Sequence, residues 1–278
     1  MTPDSANDPA KAARELLGFY LESGVDALVD EAPTDRFADE SPAPAVERAP
    51  KIERPAPSAP RQQAAPQAAS LLAAAPAAPD AAIMAARAAA RSAGSLNELR
   101  EILKGFEGCA LRGTAKQMVF ADGNPEARVM LVGEAPGRDE DIEGLPFVGR
   151  SGKLLDRMLS AVGLDRTSVY IANIVPWRPP GNRTPTPQES QICLPFVLRQ
   201  IELANPDILV CLGGPSAQTL LGLRDGITKT RGRWFPFQNG AREIKALPTF
   251  HPAFLLRSPL QKRFAWRDFL AVKQALKD

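Results

Sequence analysis

Three groups of residues in this sequence have the types needed for chemistry, and each stands where an apolar run ends. His251, the single histidine, follows one such run in TFHPAFLLR. Asn173 closes another, ahead of IVPWRPPGNRTP. A third run opens into GEAPGRDEDIEG, a loop carrying Glu134, Asp139, Glu140, Asp141 and Glu143. A lone histidine more often satisfies a structural hydrogen bond than moves a proton, but a strand end flanked by basic residues favours a site. An asparagine at a strand end either caps a turn or presents a donor beside an acceptor, the pair needed to read a base edge. The acids suit a divalent metal, one positioned water, or a solvated loop. Phe147, in LPFVG, is core or, at a rim, a face on which a planar ring stacks for roughly 1–3 kcal/mol per base. Arg178 and Arg183 flank a stiff Pro-Pro-Gly-Asn segment and suit phosphates. The glycines fit neither a Walker loop nor a dinucleotide fingerprint, which disfavours nucleoside triphosphate chemistry.

Positioning these residues requires strands that end on one side. Apolar runs at 129–132, 169–174, 208–212 and 244–250 read as strands, and helical patterns fall at 151–162, 187–204, 215–221 and 261–276. Strand and helix alternating in this way predict an α/β fold, a three-layer α/β/α sandwich with a central, mainly parallel four-stranded sheet. In such sheets ligands bind at the rim where strands lead into helices.

The chain divides unevenly around that domain. Residues 1–31 contain a short amphipathic helix with Leu17, Tyr20, Leu21 and Leu28 on one stripe, which packs back on the main domain or docks a protein partner. Residues 32–94 are rich in alanine and proline and read as a disordered linker, with a stretch at 81–91 that is helical in pattern but offers little to pack. Residues 95–278 carry the patterning of one domain, opened by a capping box at Ser95 and Glu98. Charge separates the parts. Residues 1–94 hold 9 basic and 13 acidic side chains, the remainder 25 and 19, and residues 226–278 alone hold 11 and 3. That last excess suits a phosphate-rich partner. Three dispersed cysteines, Cys109, Cys193 and Cys211, argue against a disulfide framework and for a reducing cytoplasm. No secretory signal or membrane-spanning run is visible, and a monomer is expected.

Taken together, GEAPGRDED, GLPFVGRSGKLLDRML, VYIANIVPWRPPGNRTPTPQE, RQIELANPDILVCLG and FHPAFLLR resemble, in order and spacing, the family 4 uracil-DNA glycosylases. The resemblance covers about residues 105 to 275. It implies a monofunctional DNA repair glycosylase that acts on uracil-containing DNA and leaves an abasic site. By the same resemblance Phe147 stacks on the extruded uracil, Asn173 reads its edge, and His251 contacts O2 and stabilises the departing base. Uracil shows an N3–H donor beside an O4 acceptor, cytosine the reverse, so a fixed amide satisfies only uracil. Gly133, Glu134 and Ala135 fall in the first motif. Ala135 stands where the best-studied branch has a water-activating aspartate, so a neighbouring acid must hold the water; Glu140 is preferred, with Glu134 and Asp141 behind it. HPAFLLR resembles the loop that fills the gap left in the duplex, with Leu255 or Leu256 as wedge and Arg257 on a phosphate.

One departure stands out. Most of the family holds a [4Fe–4S] cluster on four cysteines. Here Phe106 and Trp177 occupy two of those positions and only Cys109 and Cys193 match the others, so no cluster and no other metal or cofactor is expected. NRTPTPQES runs through the region where a related branch carries a basic, histidine-containing insertion that traps DNA covalently, so turnover is expected. Two other readings remain: a metal-dependent nuclease using the acidic loop, and a DNA-binding protein of the same fold without activity.

Overall fold

The computed structural model describes residues 79–240 and 242–277. Six strands form one sheet: β1 (Asp122–Gly123), β2 (Val129–Gly133), β3 (Tyr170–Asn173), β4 (Ile208–Leu212), β5 (Phe235–Asn239) and β6 (Arg242–Thr249). Their order across the sheet is β1-β3-β2-β4-β6-β5. β3, β2, β4 and β6 run parallel, while β1 and β5 pair antiparallel at the two edges. Every residue of β2, β3 and β4 is buried, because helices cover both faces and leave no polar side to the strands.

The helices are α1 (Pro79–Ser92), α2 (Leu96–Gly105), α3 (Arg138–Glu143), α4 (Arg150–Ala161), α5 (Pro187–Ala204), α6 (Gly214–Leu221), α7 (Ile227–Thr230), α8 (Pro252–Arg257) and α9 (Lys262–Ala275). Alternation along β2 sorts them into layers. Met130 and Val132 face a core that includes Leu99, Leu103 and Ile201 of α2 and α5, whereas Val129 and Leu131 face Leu155, Leu159 and Phe269 of α4 and α9. The expected three-layer sandwich and its four parallel strands are present.

Two expectations are revised. The four-stranded sheet gains two edge strands that sequence periodicity passes over: β1 is two residues long and β5, FPFQN, is interrupted by Pro236. The linker placed over 32–94 does not extend to its predicted end, because α1 occupies Pro79–Ser92 and packs on α5. Ala82, Ala86 and Ala90 recur every fourth residue and are all buried, since small side chains let two helix axes approach closely. Arg199 of α5 locks this contact, its Nε and Nη2 donating to the Ala93 carbonyl at 3.0 and 2.7 Å. The helix expected within 1–31 and most of the linker lie outside the described residues. Ser95 caps α2 by accepting the Glu98 N–H at 3.2 Å, while Glu98 reaches one residue further than the box requires, to the Gly94 N–H at 2.7 Å.

Candidate active site

β2, β3, β4 and β6 all end on one side of the sheet, and the loops leaving them enclose a cavity of about 640 Å³. The chain leaves β2 for β3 on one flank and then crosses to β4 on the other, so the cavity sits at the point where connections diverge. Its size suits a single planar ring with part of a backbone.

Asn173 ends β3 opposite Gly133 of β2. Its side chain is held where the residue is only 5% exposed, and among the described residues Oδ1 is the buried side-chain polar atom without a hydrogen-bond partner. Leaving a buried acceptor unpaired costs about 1–3 kcal/mol, so the atom is set for a donor that arrives with a ligand. Gly133 makes this possible by having no side chain. A Cβ there would stand 2.5 Å from Asn173 Oδ1 and 2.6 Å from the Phe147 ring.

Phe147 reaches the same point from the loop before α4. Its φ of 56° lies in the left-handed region, which a bulky residue occupies at a cost of order 1–3 kcal/mol. The ring centroid is 5.5 Å from that of His251, with the planes 32° apart. His251 caps α8 through Nδ1, which accepts the Ala253 N–H at 3.1 Å. Burial, and secondarily the Arg257 cation, push its pKa down to about 4. The ring is therefore neutral at pH 7, and with Nδ1 accepting, its proton sits on Nε2 as a donor.

The acids divide by partner. Glu140 lines the cavity, but its carboxylate accepts the Gly137 N–H at 3.0 Å through Oε2 and those of Val148 and Gly149, each at 3.0 Å, through Oε1. The residue preferred from sequence for holding water is thus the staple that closes its own loop. Asp141 lies outside the cavity lining. It accepts the Lys116 and Gln117 N–H groups at 2.8 and 3.4 Å and stands 3.8 Å from Arg178, because successive residues of a helix such as α3 point about 100° apart. Glu134 and Ala135 do line the cavity. Desolvation raises the Glu134 pKa above its usual 4.5, and no hydrogen bond among the described residues engages its carboxylate.

Of the expected DNA contacts, Arg183 and Arg257 line the cavity mouth. Arg183 forms a bidentate pair with Glu189 at 2.7 and 2.8 Å, and Arg178 donates to Asn182 Oδ1 at 2.6 Å. Leu255 is corrected: at 0% exposure it is core, packed with Phe250 and Ala265, and cannot enter a duplex. Leu256 is half-buried.

A family model described as Uracil DNA glycosylase superfamily matches residues 120–271. The chain belongs to the uracil-DNA glycosylase superfamily. It is 38% identical over 179 residues to the Type-4 uracil-DNA glycosylase of Archaeoglobus fulgidus, covering 63% of this chain and 90% of that one. The Type-4 enzyme of Thermotoga maritima is 44% identical over 166 residues, 58% of this chain and 85% of that one. That of Saccharolobus solfataricus is 41% identical over 173 residues, 60% and 80% respectively.

The four-thiolate cluster implied for uracil-DNA glycosylases of family 4 does not fit the residues present. Cys109 and Cys193 lie with their Sγ atoms 3.9 Å apart, but the other two positions hold rings. Trp177 is 2% exposed, and Phe106 packs edge-on against Phe196 at 5.0 Å, so two of the four positions offer ring carbon in place of a thiolate. Cys211 sits in the middle of β4, its pKa pushed up to about 12 by burial. Among the described residues no group of three or more His, Cys, Asp or Glu is placed to hold a metal ion. No described helix is long and apolar enough to cross a membrane.

Sequence reasoning passed over three structural features, two at Phe147 and one just after α8. Leu260, in the turn after α8, is 84% exposed. Gly152 of α4 abuts the Phe147 carbonyl, and Arg166 reaches the same carbonyl from the loop before β3. Only the exposure of Leu260 has a trace in the sequence, as an apolar residue between Pro259 and a run of polar ones.

Proposed function

We propose that this chain is a monofunctional uracil-DNA glycosylase, which flips uracil out of DNA, hydrolyses its N-glycosidic bond and leaves an abasic site for base excision repair. The observation that carries the reading is the unpartnered Oδ1 of Asn173, buried beside Phe147 and a neutral His251. Uracil N3–H supplies the missing donor, and the amide Nδ2 of Asn173 donates to O4. Phe147 stacks on the ring. His251 Nε2–H donates to O2 as the C1′–N1 bond breaks and its electron pair moves onto the base. A donor already aimed at the developing charge stabilises the uracil anion without giving up its proton. Water attacks the sugar cation and Glu134 accepts the proton that water loses. No lysine lines the cavity among the described residues, which fits water rather than an amine as nucleophile.

For the duplex, we assign the wedge to Leu260, with Arg257 on a phosphate. The three cysteines are free thiols, which fits the reducing cytoplasm where a repair enzyme meets DNA. Phe106 and Trp177 support a fold with no iron–sulfur cluster. The test is excision from a uracil-containing oligonucleotide in EDTA, followed by alkaline cleavage of abasic sites, on protein whose iron content has been measured. Full activity with no stoichiometric iron is expected. Absence of cleavage overturns the function, cleavage abolished by EDTA points to a metal-dependent nuclease, and about four irons per chain overturns the cluster-free reading.

A further inference from the structure

Phe147 carries a backbone conformation that its own chemistry resists, so something outside the loop must hold it. Arg166, in the segment between α4 and β3, does so with one planar fork. Its Nη2 donates to the Phe147 carbonyl and its Nη1 to the Pro146 carbonyl at 3.1 Å. Two carboxylates aim the guanidinium: Asp122 of β1 accepts from Nη1 at 2.5 Å and Asp156 of α4 accepts from Nε at 2.8 Å. α4 leaves room at Gly152, where a Cβ would stand 1.6 Å from the Phe147 oxygen. The carbonyl is therefore fixed from two directions while the ring projects toward His251 and Asn173.

We propose that Arg166 is a positioning residue for base recognition, which sets the plane of the Phe147 ring by clamping the two carbonyls beneath it. This rests on the glycosylase reading, since it assigns that ring to the extruded base. The β1 edge strand, too short to stabilise the sheet much, then has a use: it carries Asp122 to the guanidinium. A lysine at 166 would keep the positive charge near Asp122 and Asp156 but could not reach both carbonyls, because an ammonium lacks the fork.

The test is a double-mutant cycle of Arg166→Lys with Phe147→Ala, reading three quantities: binding of free uracil, single-turnover excision, and melting temperature. Free uracil binding needs no turnover. Arg166→Lys is expected to weaken it about tenfold when Phe147 is present and by less than about twofold in the Phe147→Ala background, with the same change in melting temperature in both. Equal losses of uracil binding in the two backgrounds overturn the proposal and leave Arg166 a general support of the fold. Should Arg166→Lys not fold, Asp156→Asn loosens the same guanidinium from its half-exposed side, and the same pattern at smaller amplitude is expected. A native chain that neither binds nor excises uracil refutes the glycosylase reading itself. A native chain that excises uracil while the cycle is additive refutes only the clamp.

Discussion

Glu134, just after β2, and Glu140, in α3, line one cavity, and their surroundings suit them to different work. Glu140 is saturated by backbone donors, so its charge organises the loop. Glu134 is desolvated and free to take a proton. Glu134→Gln is expected to lower kcat by about 10²-fold or more with an unchanged Tm. Glu140→Gln should lower Tm, because charge-assisted bonds worth about 1.5–3 kcal/mol each are weakened. The pH profile separates the same roles. Glu134 acts as base only when ionised and its pKa is raised, so kcat/KM should fall on the acid side at a pH above that of an ordinary glutamate. That limb should vanish in Glu134→Gln. His251 stays neutral down to about 4, so no limb should appear near 6.5, where a free histidine titrates. A profile breaking at 6.5 would remove the neutral-donor role. At this scale Asn173 and His251, which line one cavity with Phe147, were legible as polar residues at strand ends, whereas Phe147, in the loop before α4, was read there only through the family resemblance. It could not separate the carboxylates. Which of Glu134, Glu140 and Asp141 is free depends on where the N–H groups of residues 116, 117, 148 and 149 lie, and no local pattern encodes that.

Between residues and fold, α8 and α1 carry separate lessons. HPAFLLR forms a helix, so its leucines point in different directions: Leu255 inward, Leu256 to the boundary. The exposed leucine in this region, Leu260, sits in the turn that follows and is the wedge proposed above. Leu260→Ala should reduce kcat/KM on double-stranded uracil substrates about tenfold and leave single-stranded substrates within about twofold, since only the duplex leaves a gap to fill. Equal losses on both would return the role to another residue. The stretch at 81–91 was legible as a helix, but its packing on α5 was not, because alanine repeated among prolines reads as low complexity. Its packing depends on smallness at every fourth position, which hydrophobicity does not weigh. Ala86→Leu should overfill the contact with α5 at a cost of about 1–3 kcal/mol, lowering Tm by about 5 °C in a thermal melt. The parallel strands were legible because burial on both faces makes their runs continuously apolar; β1 and β5 were not, being short or half exposed.

Over the whole molecule, five of the eleven basic residues of 226–278, Arg257, Lys262, Arg263, Arg267 and Lys273, lie on α8 and α9, on either side of the Leu260 turn. Charge and the exposed Leu260, the wedge proposed above, thus belong to one continuous segment, which suits a surface that meets DNA before any base is extruded. On the opposite flank, the packing of Phe106 against Phe196 and the burial of Trp177 have a consequence for the life of the protein in the cell. On the cluster-free reading proposed above, the fold would be complete without metal delivery, and iron starvation would take nothing from it. Oxidants that damage DNA also dismantle exposed iron–sulfur centres, so a repair enzyme without one would keep its structure under the conditions that raise the demand for it.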